Sequence, residues 1–481
     1  VITYSGVIIG FISLLFIQPN LLKPEELGLT RILIAAASLI SSVLPLGVAS
    51  VTTKFFPYFR NPQNGHHGYF GFMLLFPLVG TLICGGLIYF FRDGIIAQYA
   101  EQSGLFTEYF FLLLPFALIM GLNMALNSYS ASLFRTTVIS LFEGVVTRIL
   151  FIVIIVLYYL DILSLSLFLE CFVLIYLLQA ISVFIYIWSI DRPSLKIDRQ
   201  HLKNVGLNKM FFFGMLLTLT NISSLSLKHL DAVMIGKYLT LDFVAIFAIS
   251  SYIAMVIEIP LNSMEKITHA KVSQAWADKN VDAIRTIYYQ SVKYLMLMGG
   301  LLLIGICTNI HDLLRLLPPT FHGGAMVAII AAVGCFLNIC TGVNTSILFT
   351  SDKYLYGTWL LFGLLILSVM LNYFLIPRYG IEGAALATAL ASVIYNVTKY
   401  FILWKYYGMQ PYDRHTLKIL FVIALGFVVA ILIPVPESNP ALAMICRAAA
   451  TLLVYLPAVY LFRIAPELHR FLPWNKGNKE L

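Results

Sequence analysis

Long apolar runs recur along this chain, each closed by a short cluster of polar or charged residues. Fourteen runs stand out: Ile2–Ile17, Thr30–Val51, Tyr69–Phe91, Glu108–Ser128, Val138–Tyr159, Leu165–Ile190, Met210–Leu227, Leu241–Asn262, Tyr288–Thr308, Gly324–Leu348, Tyr356–Ile376, Ile381–Trp404, Leu417–Ile433 and Ala441–Phe462. Crossing a hydrocarbon core of ~30 Å takes about 20 apolar residues in a helix. Only helices can supply so many spans, because each then satisfies its own backbone hydrogen bonds in lipid. A barrel would show segments of about ten alternating residues, and none are found. The expected fold class is an all-α polytopic membrane protein of about fourteen transmembrane helices.

Two polar stretches are longer than the rest. Asp191–Lys209 lies near the midpoint of the first twelve runs, where a linker between two six-helix halves belongs. This divides the chain into a lobe at 1–190, a linker at 191–209, a second lobe at 210–405, and two further helices with a tail at 406–481. Lys266–Tyr288 is expected to form a helix along the membrane surface, with Ile267, Val272, Trp276, Ile284 and Ile287 towards lipid.

Charge placement orients these spans. Loops on the side of the N-terminus, numbered alternately, hold 22 Lys and Arg residues, from Lys54 and Arg60 through Lys399 and Lys405 to Arg463, Arg470, Lys476 and Lys479. The other side holds 6: Lys23, Arg31, Arg92, Lys237, Arg315 and Arg378. Basic residues favour the cytoplasmic side, so both termini are expected in the cytoplasm of a bacterial inner membrane. The apolar start at Val1, without a basic leader or a small-residue cleavage site, reads against a cleaved signal peptide, and the short first run points to residues before it.

Composition agrees with lipid as the solvent. Of 481 residues, 60% are hydrophobic and 11% charged, and the mean hydropathy is +0.89. Soluble domains carry roughly 25% charged residues. The net charge of +8 comes from dispersed residues rather than a dense basic run, which excludes nucleic acid as the partner. The six cysteines sit inside apolar runs without a CxxC pair and read as packing residues. There is no Walker loop, HExxH, Cys/His cluster or nucleophile elbow, so no catalytic residues, cofactor or metal are expected. Adjacent His66 and His67 lack a third ligand.

Internal repetition is visible. Glu25–Leu46 resembles Leu239–Leu261: each has acidic and small residues, an apolar run and a closing Pro-Leu, with Pro45 and Pro260 215 positions apart. Duplicated halves are common in transporters. Near the end, Pro377 and Gly380 precede a stripe of Gly383, Ala387 and Ala391, spaced so that two helices can approach closely.

Three stretches together resemble a known family. They are YSGVIIGFISLLFIQPNLLKPEELGLTRIL at the start, HLDAVMIGKYLTLDFVAIFAISSYIAMVIEIPLNSMEKI in the middle and LNYFLIPRYGIEGAALATALAS near the end. In order and spacing they are similar to the Wzx-type polysaccharide-biosynthesis branch of the multidrug/oligosaccharidyl-lipid/polysaccharide exporter superfamily. The resemblance implies a flippase with two six-helix lobes facing a central cavity, plus two C-terminal helices. Its substrate would be an oligosaccharide repeat unit on undecaprenyl pyrophosphate, moved from inner to outer leaflet for O-antigen, capsule or exopolysaccharide synthesis. Its partners would be membrane lipids, H⁺ or Na⁺ as coupling ion, and polysaccharide polymerase machinery.

An anionic, very polar headgroup needs a wet, cationic path through lipid. Arg31, Lys54, Arg148 and Lys228 are the candidate substrate-binding residues, lying within or at the edges of spans. Arg148 is the least expected, because an uninterrupted apolar run follows it; its bland alternatives are a pair with Glu143 or snorkelling to the headgroups. Asp231, Glu258 and Pro260 are candidates for ion coupling or a hinge: Asp231 stands three residues after Lys228, spaced for an ion pair, and Glu258 precedes the helix-breaking proline. Asn123, Asn127, Asn221, Asn338 and Asn344 could meet sugar hydroxyls or bond between helices. Two rivals are weighed against this reading. A multidrug/cation antiporter of the same superfamily needs an essential acid in the first lobe, where cations outnumber Glu143 and Glu170. A membrane polymerase or glycosyltransferase needs a large outer catalytic loop, and those at Arg92–Thr107 and Asn309–Gly323 are short.

Overall fold

The computed structural model describes residues 2–434, 436, 439–462 and 464. The protein is 87% helical, and no strand forms among the described residues. Eleven helices among these residues are long and apolar enough to cross a membrane. It is an all-α, multi-pass membrane protein. The longest helix, Tyr354–Tyr407, bends at Gly380, whose φ of 60° and ψ of −139° leave the helical region. Glycine alone takes that conformation without steric cost, so the runs on either side of Gly380 become separate arms. The first expected run lies on Ile2–Ile12, Ser13–Ile17 and Gln18–Leu21, and the seventh on Leu207–Tyr238. Arg463, Arg470, Lys476, Lys479 and most of the expected tail lie outside the described residues.

The chain forms two compact units, Val1–Ile249 with Leu365–Ala384, and Ser250–Leu364 with Ala385–Leu481. In the first, Pro24–Val43 packs on Leu207–Tyr238 and Leu113–Ser132. Its N-terminus is set by Pro24 and by Glu26, whose carboxylate accepts the Lys23 backbone N–H at 3.1 Å and the Tyr158 hydroxyl at 2.8 Å. The expected second span ran on to Val51, but the helix stops at Val43. A turn through Pro45 and Gly47 (φ 72°) follows, and the chain restarts as Val48–Phe59. Phe56, Phe59, Tyr69, Phe70 and Tyr129 interlock there, edge to face apart from the tilted Phe59–Tyr69 pair, with ring centroids 4.8–5.7 Å apart.

Close helix approach in this unit rests on Gly28. A Cβ there would run into the Leu241 backbone carbonyl, which cannot yield as a side-chain tip could. Gly28→Val is therefore expected to lower stability by about 1–3 kcal/mol, read as a lower melting temperature of the purified protein, with Gly94→Val, in open space, as the unaffected control.

The second unit is organised around Val281–Leu314, which packs on Ala325–Ile339, Arg414–Leu432 and Pro440–Leu461. The expected surface helix at Lys266–Tyr288 is instead a helix–turn–helix. Ile259–Ala277 ends in a turn at Asp278–Asn280, and the Asn280 side chain caps the next helix by accepting from Ala283 N–H at 3.0 Å. Of the residues expected towards lipid, Ile267 is 63% exposed, but Val272 and Ile284 are wholly buried. Their apolar face meets protein, because Trp276 donates to the Ile347 carbonyl at 3.3 Å and rests on the Tyr407 ring. Pro260 opens Ile259–Ala277 directly after a 3₁₀ turn at Val256–Glu258, so this helical path tightens before its proline without stopping, whereas the one at Pro45 breaks.

Candidate functional site

The first unit gathers a polar cluster at two π-helical turns. In Ser13–Ile17 the wider turn lets residues five apart meet: Gln18 Nε2 donates to Ser13 Oγ at 2.9 Å. The Gln18 side-chain oxygen then accepts from the Arg31 guanidinium. In Phe142–Val146 the same geometry puts Thr147 Oγ1 2.8 Å from the Phe142 carbonyl and 3.2 Å from Gln179 Oε1. Glu143 and Arg148, also five apart, become electrostatic neighbours. An α-helix would turn them about 140° away from each other.

Arg148 does not snorkel along an open face. Its Nη1 donates to the Gly6 carbonyl, and its guanidinium lies where any side chain at position 10 would be, so Gly6 and Gly10 form its seat. Arg31, Arg148 and Glu143 all lie within electrostatic range of the Tyr176 phenol. The Tyr176 carbonyl accepts from Asn123 Nδ2 at 3.0 Å, while the buried side-chain oxygens of Asn123 and Asn127 have no partner within the protein. Two guanidiniums, one carboxylate and two open acceptors thus share one region. It can bind an anion through the arginines and hydroxyls through the amides.

The other candidate cations stand apart. Lys54 is exposed, its ammonium 3.8 Å from the centre of the Phe213 ring. Lys228 is exposed beside His229. Asp231, 7% exposed, accepts from Asn372 Nδ2 at 2.9 Å, and Asn372 keeps a buried side-chain oxygen without a partner.

In the second unit Glu258 anchors a different chain of contacts. Its Oε1 accepts from Asn338 Nδ2 at 2.6 Å, and Asn338 Oδ1 accepts from Asn396 Nδ2 at 2.8 Å. Thr341 donates to Asn396 Oδ1 at 3.3 Å. The helix between them is broken: Ala325–Ile339 stops, the chain turns through Gly342 (φ 63°), and Asn344–Thr350 follows. On the far side of that turn, Lys399 Nζ donates to Thr345 Oγ1 at 2.9 Å and lies 4.2 Å from the Tyr395 ring centre. Glu265, which also bonds Thr345, is its electrostatic counterpart. Lys399 is only 2% exposed. Charge counting had put it among the loop cations, and nothing in its flanking sequence marks it as buried. Broken helices and buried charge together are where membrane transporters hold ions.

The sequence model of the MatE family matches residues 217–374. No curated protein matches the chain. Among solved structures, the chain is similar to the lipid II flippase MurJ in an inward closed conformation, with a TM-score of 0.73 and 16% identity over 97% of this chain and 100% of that one. It is also similar to an inward-facing multidrug resistance MATE family transporter of the MOP superfamily (TM-score 0.66, 14% identity, 82% and 93% covered). A third is the MATE multidrug transporter DinF-BH in complex with R6G (0.54, 17%, 84% and 92%). The chain therefore matches the MatE family model over 217–374 and shares the fold of these flippases and multidrug transporters.

Proposed function

We propose that the protein is a flippase of the multidrug/oligosaccharidyl-lipid/polysaccharide exporter superfamily, of the Wzx type, and not an enzyme. It moves undecaprenyl-pyrophosphate-linked oligosaccharide units from the inner to the outer leaflet of the bacterial inner membrane. Fourteen spans with both termini cytoplasmic form two six-helix lobes, 1–190 and 210–405, joined by the linker 191–209 and followed by two further helices within 406–481; the two lobes act by alternating access. The observation that carries this reading is the Arg148 guanidinium seated against Gly6 and Gly10, with Arg31 and Arg148 both within electrostatic range of Tyr176 and amide oxygens without a protein partner nearby. Guanidiniums suit a diphosphate, and the amides suit sugar hydroxyls. Lys54 and Lys228, at exposed positions, would guide the headgroup in. Asp231 and Glu258 are proposed to couple the cycle to H⁺ or Na⁺, with Pro260 as the hinge.

In a strain lacking the protein, Arg148→Ala and Arg31→Ala are each expected to restore surface glycan at least about tenfold less well than wild type, with lipid-linked repeat units accumulating on the inner leaflet. Gly10→Leu, which fills the guanidinium's seat, is expected to mimic Arg148→Ala. Full glycan restoration by all three variants overturns the proposal.

The MatE segment and Glu143 beside Arg148 favour one alternative, a multidrug/cation antiporter. That reading requires Glu143→Gln to abolish drug extrusion while the glycan is untouched.

A further inference from the structure

The loop after Val48–Phe59 and the linker after Asp191 meet in the first unit. Ser194 N–H donates to the Gly65 carbonyl at 3.1 Å, and Asp198 N–H donates to the His67 carbonyl at 3.1 Å. His66 is fully committed within this clamp. Its Nδ1 accepts from the Asn61 N–H at 3.0 Å, and its Nε2–H therefore faces Asp191 Oδ1 at 2.8 Å, the carboxylate that also accepts from Tyr129. His67 is not used in this way. It stands with Asp198 and His201, and one donor atom from each of the three lies within 4.8 Å of the others.

We propose that His67, Asp198 and His201 form a binding site for a divalent transition-metal ion of the Zn²⁺ class, on the clamp that holds the linker. Two imidazoles and a carboxylate are the donor set such ions prefer. His67 Nδ1 and Asp198 Oδ2 are 3.2 Å apart, close to the ~3.4 Å edge of a tetrahedron with bonds of ~2.1 Å. The Asp198 Oδ1 is taken up by the backbone N–H groups of Gln200 and His201 at 3.1 and 3.0 Å, which leaves Oδ2 turned towards His67. His201 Nε2 lies 3.2 Å from the Tyr58 carbonyl, which only an N–H can satisfy, so the Nδ1 lone pair is left for a ligand. A ligating histidine commonly donates its other nitrogen to a carbonyl in this way.

The rings of His67 and His201 are stacked at 3.8 Å with a 5° tilt. Turning both lone pairs onto one ion tilts the rings apart. Water completes the coordination, since the Asp198 side chain is 42% exposed. The ion would tie the linker more firmly to the loop. This site stands independently of the flippase reading.

The test uses the purified full chain, with any affinity tag removed, titrated with Co²⁺ as an optical probe and then with Zn²⁺. One Co²⁺ per chain, with visible absorption that Zn²⁺ abolishes, is expected. His67→Ala and His201→Ala should each weaken binding about tenfold or more. Asp198→Asn should do the same while keeping its role as helix cap, so that loss of binding is separated from loss of fold. His322→Ala, outside the cluster, should bind as wild type does. No saturable binding, or equal affinity in His67→Ala and His201→Ala, overturns the site.

Discussion

Asp312→Ala is expected to destabilise the second unit by about 3–5 kcal/mol, among the largest single-residue effects in this chain. The Asp312 side chain is 10% exposed and that of Arg447 19%, and the two are joined in a direct ion pair between Val281–Leu314 and Pro440–Leu461. Arg315 adds a contact to the same carboxylate at 3.2 Å, and Asn309 Oδ1 accepts from Arg447 at 3.4 Å. Removing the acid leaves the Arg447 guanidinium half-desolvated with one weak acceptor. Such a charge is far more costly alone than paired. The pair itself need not be net stabilising, since both ions lost water on entering it. The measurement is a double-mutant cycle with Arg447→Met, monitored by denaturant or thermal unfolding. Asp312→Leu should be much worse than Asp312→Leu combined with Arg447→Met, which should recover most of the loss. Equal destabilisation of single and double variants would show that the two helices are held by packing alone.

The positions of the helices were legible because lipid imposes one rule on every span, and apolar runs report it directly. The change of helix at Pro260 was legible from a residue that lacks the N–H a helix needs, whereas the break at Pro45 was not, because the apolar run continues across it to Val51. Contacts set by helix geometry were not. Glu143 and Arg148 are five apart, a spacing that reads as different faces until Phe142–Val146 takes a π turn. A pair with Glu143 was among the alternatives read for Arg148, but no residue type announces the π turn that makes it, so the geometry of the contact was hidden. Val272 and Ile284 were legible as an apolar face but not as a face against protein, because lipid and a protein core ask for the same side chains. The cluster of His67 with Asp198 and His201 was equally hidden, because those two lie some 130 positions on, beyond any motif spacing. Lys399 was misread for a related reason. A lysine five residues before a span ends has the composition of an interfacial anchor whether it points out or in.

Lys399→Met is expected to act with the opposite sign on stability and on function. At 2% exposure the ammonium has lost its hydration, and its direct partners are one hydroxyl, Thr345 Oγ1, and the face of Tyr395. Glu265 compensates from within electrostatic range and is itself only partly buried. Three N–H donors with one hydrogen bond make an expensive cation, whereas methionine has similar length and none of the desolvation cost. The substitution should therefore leave the protein equally stable or raise its stability by about 1–4 kcal/mol, the range found when buried charge is replaced by packed apolar groups. Transport should fall, because a charge kept at that cost beside a broken helix is where an ion-coupled step can act. Thermal unfolding and glycan restoration, measured on the same variant, separate the outcomes. Greater stability with lost restoration marks Lys399 as functional. A loss of several kcal/mol would instead make it a structural strut, with Thr345 and Tyr395 holding it for the fold. Glu265→Gln decides what the lysine answers to: if it and Lys399→Met depress transport equally and not additively, the two charges work as one unit across the turn at Gly342.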